Sequence, residues 1–290
     1  MYAPNFDYYR ARSVADAHQL LAAHPGAKLL AGGHSLLPLL KLRLAAPSTL
    51  VDIGRIAELR GISRQGDWIR IGALTTHAEL AASADLRDAA AALADAAAMV
   101  GDPAVRNRGT IGGNIAHADP ASDLPTVLVA LDARMVAAGP GGERTIHADQ
   151  FFTGIMTTAL SEDEILVAVH VQASGRGQGS AYEKFAHPAS RYAVLGVAAS
   201  VAVTDGTCSA ARIALGGLLP NARRASSAER ALIGKAINDD TIAAAADQVA
   251  ADLGNDVSGD IYASAEYRSA MAPVFTKRAL ANAAARASLT

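Results

Sequence analysis

Lys28-Leu29-Leu30-Ala31-Gly32-Gly33-His34-Ser35-Leu36-Leu37-Pro38 is the stretch on which the fold turns. Lys28 to Ala31 is a short apolar run and Gly32 to Ser35 a turn. Leu36 to Leu44 is apolar again, with Pro38 acceptable only in the first turn of a helix. The predicted order is strand, glycine turn, short helix. Adjacent glycines lack Cβ atoms, so the backbone can lie close against a ligand and direct successive N–H groups at an anion. The start of the following helix adds unpaired donors and a partial positive charge. A pyrophosphate suits such a turn; the plain alternative is a tight bend and nothing more.

A second glycine pair, Thr110-Ile111-Gly112-Gly113-Asn114, repeats the pattern. It lies within Asp102 to Asp123, which carries three glycines, two prolines and two asparagines without a sustained period, and reads as a long functional loop. Around the two pairs, helices are expected over Ser13 to Ala23, His77 to Ala82 and the alanine-rich Leu86 to Val100, and strands over Thr49 to Ile53 and Trp68 to Ile71. Asp123 is expected to cap a helix from Leu124 to Leu131. Ser174-Gly175-Arg176-Gly177-Gln178-Gly179 is linker-like and places a boundary between domains 1-176 and 177-290. Beyond it, strand-like runs at Ala193 to Val203 and Cys208 to Leu215 precede helical patterns at Ala225 to Ile233, Asp240 to Leu253 and Ala265 to Ala287, an α+β arrangement. In the last helix, Tyr267, Met271, Val274 and Phe275 recur at helical spacing, as a core-facing stripe would.

Composition removes several functions. With 51% hydrophobic residues in 290, the chain has ample core and is not disordered. A net charge of -2 gives no basic field for phosphate backbones or anionic lipid, so nucleic acid is not an expected partner. The longest uncharged stretch falls far short of the roughly 20 residues of a membrane span. Charges at Asp7, Arg10 and Arg12 interrupt any secretory core, and a single cysteine, Cys208, fits a reducing cytoplasm.

Standard motifs fail in turn. After Gly32, the dinucleotide pattern Gly-x-Gly-x-x-Gly meets His34 and Leu37, which leaves Asp52 as a turn residue rather than a ribose ligand. There is no Gly-x-x-x-x-Gly-Lys-Ser/Thr run, and Ser35 is followed by Leu36-Leu37 instead of the small residues of a nucleophile elbow. The eight histidines form no zinc spacing, and Cys208 reads as a small core residue.

Taken in order, Leu29 to Pro38 and Thr110 to Asn114 resemble the FAD-binding flavoprotein subunits of molybdenum hydroxylases, the carbon monoxide dehydrogenase and xanthine dehydrogenase family. The resemblance continues through Val51-Asp52-Ile53, Ile71-Gly72-Ala73-Leu74-Thr75-Thr76-His77, Ser122-Asp123-Leu124-Pro125, Tyr182-Glu183-Lys184-Phe185 and Glu266-Tyr267-Arg268, nearly the whole chain. It implies an α+β protein: a two-subdomain PCMH-type FAD-binding domain followed by a C-terminal α+β domain. It also implies FAD contacts at Leu29, Leu30, Ala31, Gly32, Gly33, His34, Ser35 and Leu36 and at Thr110, Ile111, Gly112, Gly113 and Asn114. Asp123, Leu166, Lys184 and Tyr192 are implied as further contacts, with Tyr192 near the isoalloxazine ring. For Tyr192 the alternative is a buried strand tyrosine, for Lys184 a solvated edge charge, and for Asp123 a helix cap.

One cysteine cannot hold a [2Fe-2S] cluster, and no acid and base pair for activating a substrate is recognisable. An electron relay is therefore the expected role. The resemblance implies a small iron-sulfur subunit and a large subunit with a molybdenum-pterin cofactor as partners, in a dimer of heterotrimers. A free-standing flavin oxidase or reductase, and a non-catalytic nucleotide-binding scaffold, are the competing readings.

Overall fold

The structure is a computed structural model that describes residues 2–289; Met1 and Thr290, the outer ends of the two expected domains, lie outside the described residues. Three main sheets carry the fold, and it is the α+β class expected. A three-stranded parallel sheet has the order Asp7–Arg10, Thr49–Asp52, Lys28–Leu30. Parallel strands need crossovers, and here they run through the helix Val14–Ala23, whose start is capped by Ser13 accepting from Asp16 N–H, and the short helix Leu36–Lys41. The predicted strand, glycine turn and short helix are all present.

A five-stranded antiparallel sheet follows, in the order Ile62–Gln65, Trp68–Gly72, Ile165–Gln172, Arg134–Gly139, Gly142–His147. The helix His77–Ala82 stands where expected, because Thr76 and Glu79 form a reciprocal capping box. The four-stranded sheet Gln178–Ala186, Ala193–Thr204, Thr207–Gly216, Arg223–Arg224 completes the chain. Its strands are buried on both faces, and period-2 alternation sends Leu195, Val197 and Ala199 to one core and Ala198 with Tyr182 to the other. Gln178 and Gly179, read as linker, are already its first strand residues.

Several expectations are corrected. The helix expected over Leu86 to Val100 is two, Ala84–Ala89 and Ala91–Met99, broken at Ala90, whose φ of -154° is not helical. Tertiary bonding outweighs alanine propensity there: Ala92 N–H donates to the buried Ser180 hydroxyl of the C-terminal sheet at 3.2 Å. The segment expected as one long loop contains the helices Pro103–Arg106 and Ile111–His117, capped by Asp102 and Thr110. Asp123 is not a cap. It is the first residue of the helix Asp123–Ala130, after Ser122, and its carboxylate turns to Tyr182 and Lys184.

The last helix, Ala265–Ala287, matches its expected span, but its core stripe matches the expected one only in part. Tyr267 and Val274 are exposed, while Arg268, Ala272, Phe275, Ala279, Leu280 and Ala283 face inward. Phe275 and Met271 of the expected stripe do meet the core, and small alanines let the rest of the helix approach the sheet closely. Cys208 is buried in that core. No helix among the described residues is long and apolar enough to cross a membrane.

Candidate cofactor site

Both glycine segments reach one cavity of about 900 Å³, large enough for a sizeable cofactor. The first segment hangs between the strand Lys28–Leu30 and the helix Leu36–Lys41. The second is the opening turn of Ile111–His117. They touch: a Cβ built on Gly32 would overlap the Arg108 carbonyl, and one on Gly113 would stand 3.7 Å from the Ala31 Cβ. Gly112 is glycine for packing, since a Cβ there would meet Ala73 at 2.6 Å.

The two segments differ in what they offer a ligand. Among the described residues, the N–H groups of Gly32, Gly33, His34 and Ser35 donate to no acceptor, and all four residues line the cavity. Gly33 has φ +78°, which turns the run, and the His34 ring is held by the Ala104 carbonyl at 2.9 Å. In the second segment the donors are spent: Ile111 N–H goes to Thr75 O, Gly112 N–H to Ala73 O, Gly113 N–H to Thr110 Oγ1 and Asn114 N–H to Thr110 O. That segment supplies a wall of bare backbone rather than a nest of amides. Asn114 Oδ1 accepts from the Ser122 hydroxyl at 2.8 Å, which ties the wall to the next helix.

Of the other residues singled out from sequence, Leu29, Leu36, Asp123, Leu166 and Tyr192 also line the cavity. Leu30, Ile111 and Lys184 stand behind its wall. Ile111 is packed in the core, and Lys184, its side chain only 2% exposed, reaches the cavity through its 2.8 Å bond to Asp123. Tyr182 donates to the other oxygen of Asp123 at 2.6 Å. Burial still holds the Asp123 carboxyl above the usual range, against the pull of Lys184 and Tyr182.

Tyr192 is half exposed at the mouth, on a tight loop in which His187 N–H donates to Tyr192 O at 2.8 Å and Arg191 takes φ +60°. Partial burial, with Asp119 and Asp123 nearby, pushes its phenol upward. It is therefore neither a fully buried strand tyrosine nor a free surface one.

Two residues of the wall were assigned no role from sequence. His77 is buried, its imidazole driven down to about 4 by burial and then by His34, and its Nδ1 has no partner. It belongs to the Ile71 to His77 run, whose motif was visible though its role was not. Glu164 accepts from Arg144 at 2.5 and 2.8 Å and from Ser161 N–H at 2.7 Å, which carries its carboxyl down to about 2. Nothing in its local sequence marks it.

This donor set fits a dinucleotide. The unpaired amides at Gly32 to Ser35 match an anionic bridge, and the remaining walls are largely apolar or backbone. Residues 4–172 match the model described as FAD binding domain in molybdopterin dehydrogenase, and residues 180–283 the one described as CO dehydrogenase flavoprotein C-terminal domain. The chain belongs to the FAD-binding medium subunits of the carbon monoxide and xanthine dehydrogenase family.

This medium subunit is 43% identical over 289 residues to the carbon monoxide dehydrogenase medium chain of Hydrogenophaga pseudoflava, covering 99% of each chain. It is 41% identical to the 6-hydroxypseudooxynicotine dehydrogenase complex subunit alpha of Paenarthrobacter nicotinovorans, over 99% of this chain and 97% of that one. Among solved structures, carbon monoxide dehydrogenase from Hydrogenophaga pseudoflava, in a form lacking the Mo-pyranopterin moiety of the molybdenum cofactor, superposes with a TM-score of 0.94, at 45% identity and 99% coverage of each chain. The medium subunit therefore carries an FAD-binding domain and is one component of an oxidoreductase.

Proposed function

We propose that this medium subunit is the electron relay of a molybdenum hydroxylase complex. Electrons arrive from a small iron-sulfur subunit, itself fed by a large subunit with a molybdenum-pterin cofactor, and leave to an external acceptor. The carrying observation is the run of four unpaired amides at Gly32 to Ser35, set in one cavity with the Thr110 to Asn114 wall and Tyr192, in a chain with one cysteine. Bound FAD supplies a redox group that takes up electrons singly or in pairs.

The chain's own residues divide the work. Gly32, Gly33, His34 and Ser35 hold the pyrophosphate through backbone N–H groups, and Ala31, Leu29 and Leu36 border them. Gly112, Gly113 and Asn114 exclude water from the opposite side, with Thr110 fixing their geometry. Leu166 and Asp123 complete the wall, Lys184 keeps Asp123 paired, and Tyr192 stands at the ring end. Leu30 and Ile111 act from behind, as packing. A division into 1-176 and 177-290 accords with the two matched spans. The proposed assembly is a dimer of heterotrimers in the cytoplasm.

The test is purification of the chain at native abundance, followed by acid release and absorbance of any bound flavin. FAD in the supernatant, together with a cysteine-rich small chain and a large molybdenum chain in the same complex, is the expected result. A flavin-free chain, or an isolated chain that oxidises an organic substrate unaided, overturns the proposal.

A further inference from the structure

Arg268 lies in the first turn of the helix Ala265–Ala287, remote in sequence from every residue of the cavity wall. Its guanidinium is almost wholly buried and is satisfied by four groups. Nη1 donates to the backbone carbonyls of Val194 at 3.2 Å and Gly217 at 3.0 Å, Nε to Ala263 O at 3.2 Å and Nη2 to the Asp260 carboxylate at 2.5 Å. Two strands of the C-terminal sheet are thus gripped at neighbouring ends, just where Ala193–Thr204 begins and Thr207–Gly216 has finished.

Those ends adjoin residues that line the cavity. Ala193 N–H donates to Ala121 O at 3.1 Å and Gly217 N–H to Pro120 O at 3.0 Å, so the clamped backbone grips the segment leading into Ser122 and Asp123. Tyr192 is the residue immediately before Ala193. Gly217 takes φ +84°, and a Cβ there would meet Ala193 O at 2.7 Å, so the two ends are packed without slack. A planar guanidinium can serve acceptors in several directions at once, whereas an ammonium of the same charge cannot reproduce the fork.

We infer that Arg268 is a positioning residue for the cofactor cavity: through Val194 and Gly217 it fixes Tyr192 at the mouth and the Pro120 to Asp123 segment along the wall. The flavin part of this rests on the reading of the cavity given above. Asp260 is the outer anchor. Its second oxygen accepts from Tyr262 and Ala263 N–H at 2.8 and 2.9 Å, which holds the carboxylate in place for the guanidinium.

The experiment uses the purified complex carrying Arg268→Lys and, because loss of a buried guanidinium can cost folding, Asp260→Asn, whose side chain is half exposed. Amide exchange is followed at Ala193 and Gly217, with Ala199 and Ile213 in the middle of the same sheet as references. Both variants are expected to speed exchange at Ala193 and Gly217, roughly tenfold for Arg268→Lys and less for Asp260→Asn, while the references hold.

Flavin emission is expected to change in the same direction as in Tyr192→Ala, and adding Arg268→Lys to Tyr192→Ala should change it no further. Unchanged exchange at Ala193 and Gly217, or equal acceleration across the sheet, overturns the inference. Local acceleration with emission indifferent to Tyr192→Ala supports the positioning role and instead overturns the placement of Tyr192 beside the ring.

Discussion

The α-carbon of Gly32 rests against the carbonyl oxygen of Arg108, leaving no room for a methyl group between them. Two segments far apart in sequence are thereby joined back to back, and the cavity opens along their shared edge. Gly32→Ala must push the Arg108 to Thr110 segment away, which also disturbs the cap on Gly113. The expected outcome is a fall in melting temperature together with loss of bound flavin, since the amide run and the opposite wall move apart. Gly61→Ala is the control: it also disturbs a glycine, at φ +90°, but nothing lies within 4 Å of the added carbon. It should cost about 1–2 kcal/mol for the left-handed backbone and leave flavin content unchanged. Calorimetry and released-flavin absorbance check both.

Lys184 and Asp123 form an ion pair in which both side chains are nearly sealed from solvent. Removing one partner strands the other, so Lys184→Met should lower stability by about 3–5 kcal/mol by denaturant titration. Asp123→Asn should cost less, because an amide oxygen can still accept from Tyr182. The sign with pH follows from burial, which raises the Asp123 carboxyl. A raised acid favours the folded state at pH below its unfolded value and loses that contribution as pH rises through the folded one. Lys184→Met removes the one cation bonded to Asp123 among the described residues, so that variant should recover part of its deficit on acidification, and Asp123→Asn should not.

His77 gives the opposite trend. Its imidazole titrates at about 4 rather than 6.5, so the unfolded chain takes up a proton in that interval and the folded one does not. Stability contributed by neutral His77 is full above pH 6.5 and drains as pH falls toward about 4, by about 3 kcal/mol at most. Urea titrations of the parent and His77→Gln at several pH values isolate it. The parent should lose more stability across that window than the variant, and parallel curves would show that His77 does not remain neutral.

Much of this was legible beforehand because it depends on local chemistry. Gly32-Gly33-His34-Ser35 announces a turn by its missing side chains, and Thr76 with Glu79 announces a helix start. What escaped depends on contacts distant in sequence. Nothing near Ala90 reveals that Ser180 will capture the next amide and end a helix. Thr110 to Asn114 looked like a second amide nest, yet its donors are consumed by Ala73, Thr75 and Thr110, which only the folded backbone brings within reach. The apolar spacing in Ala265–Ala287 found Phe275 and Met271 but also took in the exposed Tyr267 and Val274, because most of the remaining contact is made by alanines, which carry little hydropathy signal of their own.

That close alanine contact is itself testable. Gly179 opens the first strand of the C-terminal sheet beneath the last turns of Ala265–Ala287, and a Cβ there would overlap the Ala283 carbonyl and come within 2.5 Å of Ala287 N. Both obstacles are helix backbone, which cannot rotate aside as a side chain can. Gly179→Ala should therefore lift the end of the helix from the sheet and weaken the Arg286 bridge to Asp95, now 2.6 Å, which ties that helix to the FAD-binding domain. The expected cost is about 1–3 kcal/mol, the range for overpacking a well-filled site. Amide exchange should rise in the last two turns of the helix while its first turn, held by Arg268, stays protected. Exchange rising uniformly along the helix would mean that it moves as a rigid body and that the Arg268 clamp does not restrain it.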